Sequence, residues 1–498
     1  MMRPMRILLA VFALVLMSTA VVRAQTYTEL YSFCATLDGC PNGAFPISLI
    51  QATDGNFYGT TSFGGAPETD ICANVSGDHG CGIVFKITPA GELTTLHWFC
   101  KAQACTDGLY PSPLVQAANG DFYGTTEMGG ANAYGTIFKI TPGGELTTLH
   151  NFCTLPNCAD GFAPITGLIQ ATDGDLYGTA GGGTNSGGII YKITPSGALT
   201  TLYNFCTLPN CTDGEYPFAA LIQAADGNFY GTTTAGGANG HGTVFKITPS
   251  GALTTLSNFC ALPNCVDGSF PYGVALIQAT NGDFYGVTAA GGANDRDECT
   301  GSGGVGCGTV FSVTPSGALT TLYSFDGTDG YDPATLIRAT NADFYGTTFN
   351  GTTRLSGTAF QITAAGTLTT PHTFCSQPKC ADGAHSESLM QATNGNLYGT
   401  TTGGGTTTNG TVFSIDLGLG PFVALQTNSG EPGARVTILG NDLTGAASVT
   451  FNGTAAPFAV NSTGTAIAAT VPTGATSGPV QVVTPNGTLD SNKPFRVR

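Results

Sequence analysis

The stretch that decides the fold is FAALIQAADGNFYGTTTAGGANGHGTVFKITPSGALTTLSNF, residues 218–259. It opens with an apolar run suited to a buried strand, followed by Asp-Gly-Asn, and Asp-Gly is a strong hairpin signal. The runs FYGTTTA (229–235), TVFKIT (243–248) and ALTTLSNF (252–259) follow, separated by a Gly-Gly loop and a Pro-Ser-Gly turn. The stretch therefore predicts four antiparallel strands, which we call A, B, C and D in chain order.

The same unit recurs along the chain. Its marker is the tripeptide (Phe/Leu)-Tyr-Gly, which occurs seven times at steps of 53 to 65 residues. The tyrosines are Tyr58, Tyr123, Tyr177, Tyr230, Tyr285, Tyr345 and Tyr398. A four-stranded unit of this length, repeated in tandem, is typical of a β-propeller blade.

The two ends of the repeat array complement each other. Strand C occurs seven times, but the last copy (411–416) has no strand D after it. The segment YTELYSF (27–33) has the strand D pattern and precedes the first strand A. Pairing of these two segments would leave no open edge between the first and last blades. We therefore predict an all-β, seven-bladed β-propeller over residues 25–416, closed by its N-terminal strand.

The flanking segments indicate export. Residues 1–24 carry two arginines near the start (Arg3 and Arg6), an apolar run, and then small residues and Arg23 before Gln25, which is typical of a secretory signal peptide. This apolar run is too short to span a bilayer comfortably, and no other segment approaches that length, so we expect no transmembrane segment. Removal of the peptide leaves 13 basic and 32 acidic residues, a net charge of −19. Such a chain lacks the clustered basic residues that nucleic acid binding needs, so we expect no nucleic acid partner.

Two parts of the chain resemble known protein families. The runs LTTLYNF (199–205), LIQAADGNFYGTTTAGG (221–237) and GTVFKITPSG (242–251) resemble the GloVer tandem repeat of secreted and surface bacterial proteins. That resemblance implies an extracellular propeller-like module and names no ligand. After a linker (417–421), residues 422–498 resemble the IPT/TIG immunoglobulin-like domain through GEPGARVTILGNDL, ASVTFNGTAA and ATVPTGATSGPVQVVTPNG. Members of that family serve in surface receptors and carbohydrate-active enzymes, and some act in DNA binding.

The sixteen cysteines fall into eight local pairs. Six pairs are expected in the D–A loops, and two lie inside expanded B–C loops: Cys34/Cys40, Cys100/Cys105, Cys153/Cys158, Cys206/Cys211, Cys260/Cys265 and Cys375/Cys380, then Cys72/Cys81 and Cys299/Cys307. An even number of cysteines in short local pairs on an exported chain predicts disulfides. A zinc site would instead need two pairs to converge.

Two expanded loops are the main departures from the repeat. B–C and D–A loops share one face of a four-stranded meander ring, which we call the loop face, and A–B and C–D turns share the other, the turn face. The expanded B–C loops span 64–82 and 291–308. Their candidate binding residues are Asp70, Asp78, His79, Asp295, Arg296, Asp297 and Glu298. These residues either contact a ligand or are solvent-exposed loop residues without a specific role. The run DRDE (295–298) lacks the ligand spacing of a calcium-binding loop.

The sequence shows no catalytic constellation. Neither HExxH nor GxSxG occurs, and we expect no histidine to recur with a fixed acidic partner. We therefore expect no cofactor and no metal. We expect an exported, non-enzymatic binding, adhesion or structural module that engages a glycan or protein through the loop face. The alternative is a secreted polysaccharide hydrolase or lyase built on a propeller.

The cysteine assignment predicts that the secreted protein contains no free thiol. Alkylation of the unfolded, unreduced protein should add no mass, whereas alkylation after reduction should modify all sixteen cysteines. Free thiols in the unreduced protein, measured by mass spectrometry, would contradict the disulfide assignment.

Overall fold

The computed structural model describes residues 25–34, 40–65, 80–101, 103–273, 275–294, 299, 306–351 and 356–498. These residues form β-strands joined by turns, with short 3-10 helices as the helical elements. The predicted signal peptide (1–24) lies outside them. No helix in the described ranges is both long and apolar enough to cross a membrane.

Within the described ranges, residues 26–416 form seven antiparallel sheets, numbered here in chain order. Sheet 1 contains Ala44–Gln51, Phe57–Phe63, Ile83–Ile87 and Leu93–Trp98. Sheet 2 contains Leu109–Pro111, Val115–Gln116, Phe122–Met128, Thr136–Ile140 and Leu146–Asn151. Sheet 3 contains Ile169–Gln170, Leu176–Ala180, Ile189–Ile193 and Leu199–Asn204. Sheet 4 contains Ile222–Gln223, Phe229–Thr233, Thr243–Ile247 and Leu253–Asn258.

The remaining sheets follow the same A–B–C–D order. Sheet 5 contains Ile277–Gln278, Phe284–Thr288, Thr309–Val313 and Leu319–Ser324. Sheet 6 contains Tyr331–Arg338, Phe344–Asn350, Thr358–Ile362 and Leu368–Thr373. Sheet 7 contains Ala384–Gln391, Leu397–Gly403, Thr411–Asp416 and, at its outer edge, Thr26–Ser32. The D–A loops carry the 3-10 helices Gln103–Cys105, Pro156–Cys158, Pro209–Cys211, Pro263–Cys265 and Pro378–Cys380.

The N-terminal strand pairs with the last strand C. Thr26–Ser32 runs antiparallel to Thr411–Asp416, with Tyr27 opposite Ile415 and Ser32 opposite Thr411. The Tyr27 hydroxyl donates a hydrogen bond of 2.8 Å to the carbonyl oxygen of Asp382. The first strand of the chain therefore occupies the strand D position of sheet 7.

The Phe-Tyr-Gly tripeptide explains how adjacent sheets pack. Successive side chains of a strand point to opposite faces of its sheet. Phe57 of sheet 1 therefore faces sheet 7, where it meets Tyr398, and Tyr58 faces sheet 2, where its ring stacks on Phe122 at 4.2 Å between centroids. Gly59 leaves room for the strand C aromatic, because a Cβ there would lie 2.5 Å from Cζ of Phe85.

These contacts link the sheets in cyclic order. Equivalent rings stack 4.1 to 4.2 Å apart at Tyr177–Phe229, Tyr230–Phe284 and Tyr285–Phe344. Tyr123 and Tyr345 instead pack in clusters with leucines of the next sheet. One buried cluster joins sheets 7 and 1 through Tyr398, Val412 and Phe57. Adjacent sheets therefore pack in a propeller-like arrangement, and sheet 7 contacts sheet 1.

Strand A is shorter than predicted in sheets 2 to 5. The predicted run 218–224 keeps only Ile222–Gln223 as a strand. Tyr216 has a positive φ of 56°, and the next residue, Pro217, has no N–H to donate to the ladder. Sheets 1 and 6 have the same irregularity as a register shift, after Pro46 and Pro333 respectively, inside a longer strand.

Residues 422–498 form a separate pair of sheets with its own core. One sheet contains Ala424–Leu425, Arg435–Leu439, Ala466–Thr470 and Phe458–Val460. The other contains Thr454–Ala455, Ser448–Phe451, Val480–Thr484 and Gly487–Asp490, and Ser429–Gly430 pairs with Arg496–Val497. Val436, Phe451 and Phe495 are buried between the sheets.

This sandwich contacts the turn face of the ring. The Thr465 hydroxyl donates to the carbonyl oxygen of Thr53 at 2.8 Å, and the Gln426 amide donates to that of Ala117 at 2.9 Å. Arg498 reaches the carbonyl oxygen of Thr172 at 3.3 Å. Because these acceptors lie at the A–B turns of sheets 1 to 3, the hydrogen bonds hold the sandwich on the face opposite the loops.

Deletion of residues 25–33 tests the role of the N-terminal strand. It removes the buried Phe33 and exposes the edge of Thr411–Asp416. We expect the melting temperature to fall by about 10 °C or more. A peptide of residues 25–33 added in trans should restore part of the loss, whereas a scrambled peptide should not. An unchanged melting curve after the deletion would contradict a ring closed by this strand.

Candidate functional site

The strands A surround a central channel. Its cavity has a volume of about 580 Å³, within the range of small-molecule sites. Every sheet contributes to the wall, for example through Ile47, Leu114, Ile165, Phe218, Tyr272, Pro333 and Glu387. The channel is therefore a surface to which all seven units bring one side chain or more.

One residue per sheet, just before the channel wall, has a left-handed backbone. These seven residues, which we call the clamp positions, are Phe45, Tyr110, Ala163, Tyr216, Phe270, Asp332 and His385, with φ between 46° and 59°. Such a φ is uncommon for residues other than glycine and costs about 1–3 kcal/mol.

Hydrogen bonds to the neighbouring sheet hold the clamp positions in place. The Tyr110 N–H donates to the carbonyl oxygen of Cys81 at 2.9 Å. The same bond links sheet 1 to sheet 7, since the Phe45 N–H donates to the carbonyl oxygen of Asn409 at 2.9 Å. The bond is described for the clamp positions of sheets 1 to 6, and in these six the acceptor belongs to the B–C loop of the preceding sheet. The strained backbone therefore joins adjacent sheets on the loop face.

The residue two positions after each clamp faces the channel in most sheets. Ile47, Ile165, Phe218, Tyr272, Ala334 and Glu387 occupy this position and line the cavity. Sheet 2 has Ser112 there, whose hydroxyl is buried and donates to the carbonyl oxygen of Pro164. Glu387 is the one acidic residue in this series.

The half-buried position of Glu387 changes its acidity. Its side chain lies in the channel wall, where desolvation and the nearby Asp332 carboxylate raise its pKa to about 7. Among the described residues, no hydrogen bond or ion pair reaches its carboxyl group. A carboxylate without a partner in such a place carries a large desolvation cost.

A second glutamate lies near the same mouth. Glu127 is the last residue but one of strand B of sheet 2, at the position that Ala289 and Phe349 occupy in the channel wall of sheets 5 and 6. Burial raises the pKa of Glu127. Burial also raises the pKa of Tyr272, and the carboxylates of Glu127 and Glu387 add to that shift. The phenol of Tyr272 therefore interacts electrostatically with acids from two other sheets.

Aromatic side chains are exposed around part of the mouth. Tyr272 is 52% exposed, and Phe218 beside it contacts both Tyr272 and Tyr216 through their rings. Tyr134 and Phe162 form a further exposed pair, with centroids 6.2 Å apart. These five residues, which we call the aromatic arc, belong to sheets 2 to 5 or the loops that join them.

The comparisons with known proteins concern the repeat. A model of the Gloeobacter/Verrucomicrobia repeat matches residues 17–207, 71–298 and 264–467, which together span most of the chain. The chain belongs to the Gloeobacter/Verrucomicrobia repeat family. The last match extends past residue 416, where the sequence predicted the repeat array to end. No curated protein sequence matches this repeat protein.

Solved structures resemble the repeat protein at low identity. A fungal alcohol oxidase of the AA5 family in complex with copper has 13% identity and a TM-score of 0.51, covering 95% of this chain and 98% of its own. Virginiamycin B lyase from Staphylococcus aureus has 15% identity and a TM-score of 0.49, covering 78% and 99%. A putative gluconolactonase has 11% identity and a TM-score of 0.37, covering 79% and 92%. At such identities the likeness concerns the fold alone.

The binding residues predicted for this repeat protein from its expanded loops lie outside the described residues. They are Asp70, Asp78, His79, Asp295, Arg296, Asp297 and Glu298. The loop ends are described, and the carbonyl oxygens of Cys81 and Cys307 accept the clamp hydrogen bonds of sheets 2 and 6. The loops therefore begin and end beside the channel mouth.

The predicted disulfides are present where the chain is described. The bonds are Cys34–Cys40, Cys100–Cys105, Cys153–Cys158, Cys206–Cys211, Cys260–Cys265, Cys299–Cys307 and Cys375–Cys380. Cys72 of the eighth predicted pair lies outside the described residues. In four of these loops an aspartate accepts hydrogen bonds from the loop backbone, as when Asp160 accepts from the N–H groups of Thr154 and Leu155.

The expectation that no histidine recurs with a fixed acidic partner is wrong, because Nε2 of His97, His150 and His372 each lies 3.1 to 3.6 Å from a carboxylate oxygen of the aspartate ten residues later.

The channel glutamates are not among the residues predicted from the sequence, because they are substitutions within the repeat and not inserted loops. The signal was available inside the repeat itself. The units read DGEYPF (213–218) and DGSFPY (267–272), whereas the seventh reads DGAHSE (382–387). Aligned this way, Glu387 is an acid where the other units have uncharged residues.

Replacing Glu387 with glutamine tests its burial. The pKa is about 7 in the folded protein against an ordinary 4.5, so the folded state binds more protons between these pH values. The free energy of unfolding therefore falls as the pH rises through this window. E387Q removes the ionisation, and should stabilise the protein at about pH 8 by about 2 kcal/mol and leave it unchanged near pH 4.5.

Urea denaturation at the two pH values measures this difference. The control is E145Q, since Glu145 is an exposed glutamate in a C–D turn of the opposite face. A loss of stability in E387Q at pH 8 would contradict the buried, uncompensated carboxylate.

Proposed function

We propose that this repeat protein is an exported, non-enzymatic binding module that takes a glycan or protein ligand at the channel mouth on its loop face. The fold proposed for it is a seven-bladed β-propeller (25–416) closed by its N-terminal strand. A linker (417–421) joins it to an IPT/TIG-type domain (422–498).

The observation that carries this proposal is the variation at the channel mouth. The Tyr–Phe stacks, the clamp hydrogen bonds and the loop disulfides repeat from unit to unit. The side chains delivered to the mouth do not repeat: they are aliphatic in sheets 1 and 3, aromatic in sheets 4 and 5, and acidic in sheet 7. A rigid scaffold that presents varied side chains on one face is a common basis for binding.

Two further features support the location and the setting. The C-terminal sandwich binds the turn face, which leaves the loop face available to a ligand. The disulfides fit an extracellular protein, because the cytosol keeps thiols reduced. Secretion, periplasmic residence or association with the cell surface are all compatible with this setting.

A specific observation also favours the enzyme alternative. Glu387 has a pKa near neutrality and interacts with Asp332 in the channel. A protonated acid beside a second carboxyl group is the pattern of acid–base catalysis on polysaccharides. A secreted hydrolase or lyase acting at the channel mouth is therefore the second candidate function.

Binding screens of the mature protein test the main proposal. A glycan array and a pull-down against extracellular proteins should yield a ligand that depends on the aromatic arc. Y216N and Y272S should weaken its binding by about tenfold or more. Asparagine is chosen at position 216 because it tolerates the left-handed backbone.

The matched control is V483S, which removes an exposed apolar side chain from the C-terminal sandwich. Ligands whose binding is unaffected by Y216N and Y272S would contradict a site at the channel mouth. Cleavage of any bound polysaccharide by the wild type, with loss of cleavage in E387Q, would replace the binding module with the enzyme.

A further inference from the structure

Exposed apolar side chains are concentrated on one part of the loop face. Among the described residues, ten large apolar side chains are exposed, and eight of them lie on the loop face of sheets 2 to 5 or in the loops that join these sheets. These eight residues, which we call the apolar sector, are four members of the aromatic arc together with Met128, Leu155, Leu208 and Leu262. The other two, Trp98 and Val483, lie in sheet 1 and in the C-terminal sandwich.

We propose that the apolar sector binds a second copy of this chain, so that two rings associate loop face to loop face. Soluble proteins expose large apolar side chains singly, and a concentration of them on one surface marks an interaction site. This inference goes beyond the proposed function, since it concerns the association of the protein with itself.

Three leucines of the sector share one local structure. Leu155, Leu208 and Leu262 each precede the Pro-Asn-Cys turn of a D–A loop, with φ between −97° and −101° and ψ of 154° or 155°, and each is 53% exposed. A disulfide closes each loop, and each leucine N–H donates to the loop aspartate at 3.1 to 3.3 Å. The three leucines are therefore held at equivalent positions on three successive loops, which lowers the entropy cost of binding.

The regular spacing makes this surface complementary to itself. In a two-fold dimer, the same surface of each copy contacts the other. Because the leucines follow the rotation of the sheets around the channel, a two-fold axis beside Leu208 sets Leu155 of one copy opposite Leu262 of the other. An unrelated partner would have to reproduce that spacing, whereas a second copy already has it.

The exposed apolar area matches what a stable dimer needs. A fully covered aromatic side chain buries about 150–250 Å², so a half-exposed side chain of similar size leaves about 100 Å² for a partner to cover. The apolar sector therefore offers about 800 Å² per copy, which is the usual share of each partner in a stable interface.

The described chain leaves this surface uncovered and poor in charge. The C-terminal sandwich binds the opposite face. The aspartates of the three D–A loops accept hydrogen bonds from the loop backbone. Between Met128 and Tyr272, the loop face carries one further acidic residue, Glu215, and the lysines of this range pair with aspartates of the turn face. Depletion of charge is characteristic of the core of an interface.

The charge of the whole chain predicts how salt affects the association. Each mature copy has a net charge of −19, so two copies repel one another. Salt screens this repulsion and leaves the burial of apolar area intact. The dimer should therefore become tighter as sodium chloride rises from about 0.05 M to about 0.5 M, whereas a complex held by opposite charges becomes weaker.

Analytical ultracentrifugation of the mature full-length protein, over a range of protein concentrations, measures the association. We expect a dimer with a dissociation constant in the micromolar range or below. L155S/L208S/L262S should weaken the dimer by about a hundredfold or more, because each replaced leucine counts twice in a two-fold dimer.

The matched control is T147S/T200S/T254S. These threonines are exposed in the strands D that precede the same three loops, at the end of each strand next to the turn face. Because they lie away from the apolar sector, this variant should dimerise as the wild type does.

The leucine variant is chosen to fold. Each leucine occupies the position before the first residue of a 3-10 helix, where a serine side chain is favourable. An unchanged melting temperature of the separated monomer excludes misfolding as the cause of its dissociation. If the triple variant melts lower than the wild type, L208S alone serves instead, and it should weaken the dimer by about tenfold because Leu208 lies beside the two-fold axis.

A wild type that stays monomeric, or a dimer that the leucine substitutions leave intact, would overturn the proposal. A monomer that needs these leucines to bind neutral phosphatidylcholine vesicles or an extracellular protein would overturn it too, since the sector would then have another occupant. The failure of the proposed function is a separate result. L155S/L208S/L262S keeps the aromatic arc, so its monomer should still bind any ligand whose binding Y216N and Y272S weaken.

Discussion

The structure depends on one contact made by the central tripeptide of each unit. The tyrosine packs on the first residue of the next unit's tripeptide, as Tyr58 does on Phe122, and a glycine follows because a strand C aromatic needs that space. Each such aromatic pair contributes about 0.5–1.5 kcal/mol beyond the area it buries. Since a strand points successive side chains to opposite faces, the same three residues contact both neighbouring sheets. A unit with this tripeptide is therefore incomplete alone and stable only between two others.

Much of this architecture follows from the sequence because it repeats. Strands B, C and D lie where the alternation of residues predicted, and the cysteines pair within their loops. Strand A was predicted too long in sheets 2 to 5. It is interrupted where the residue before a proline, such as Tyr216, has a positive φ, and that backbone conformation depends on the hydrogen bond that the Tyr216 N–H donates to the neighbouring sheet. The docking of the C-terminal sandwich was not predictable at all, since single residues such as Gln426 and Thr465 make the contacts.

The residues of the candidate site could not be predicted from the sequence, because they do not stand out from the repeat. Periodicity identifies what the units share, and inserted loops are the most visible exceptions to it. Glu387 and Glu127 are substitutions within regular strands, and each looks like an ordinary polar residue until the ring brings them near one channel. Their common environment is a property of the closed ring, in which sheets 2, 5 and 7 are far apart in sequence but face the same cavity.

The clamp positions have a consequence for how such a protein changes over time. The hydrogen bond described for six of them uses backbone atoms only, so it forms equally with phenylalanine, tyrosine, alanine or aspartate in place. The residue two places further on is delivered to the channel by that same backbone. The channel wall therefore contains six equivalent positions, one from each sheet except sheet 2. Single substitutions there change the side chains that line the channel, while the backbone hydrogen bonds and the packing between sheets stay the same.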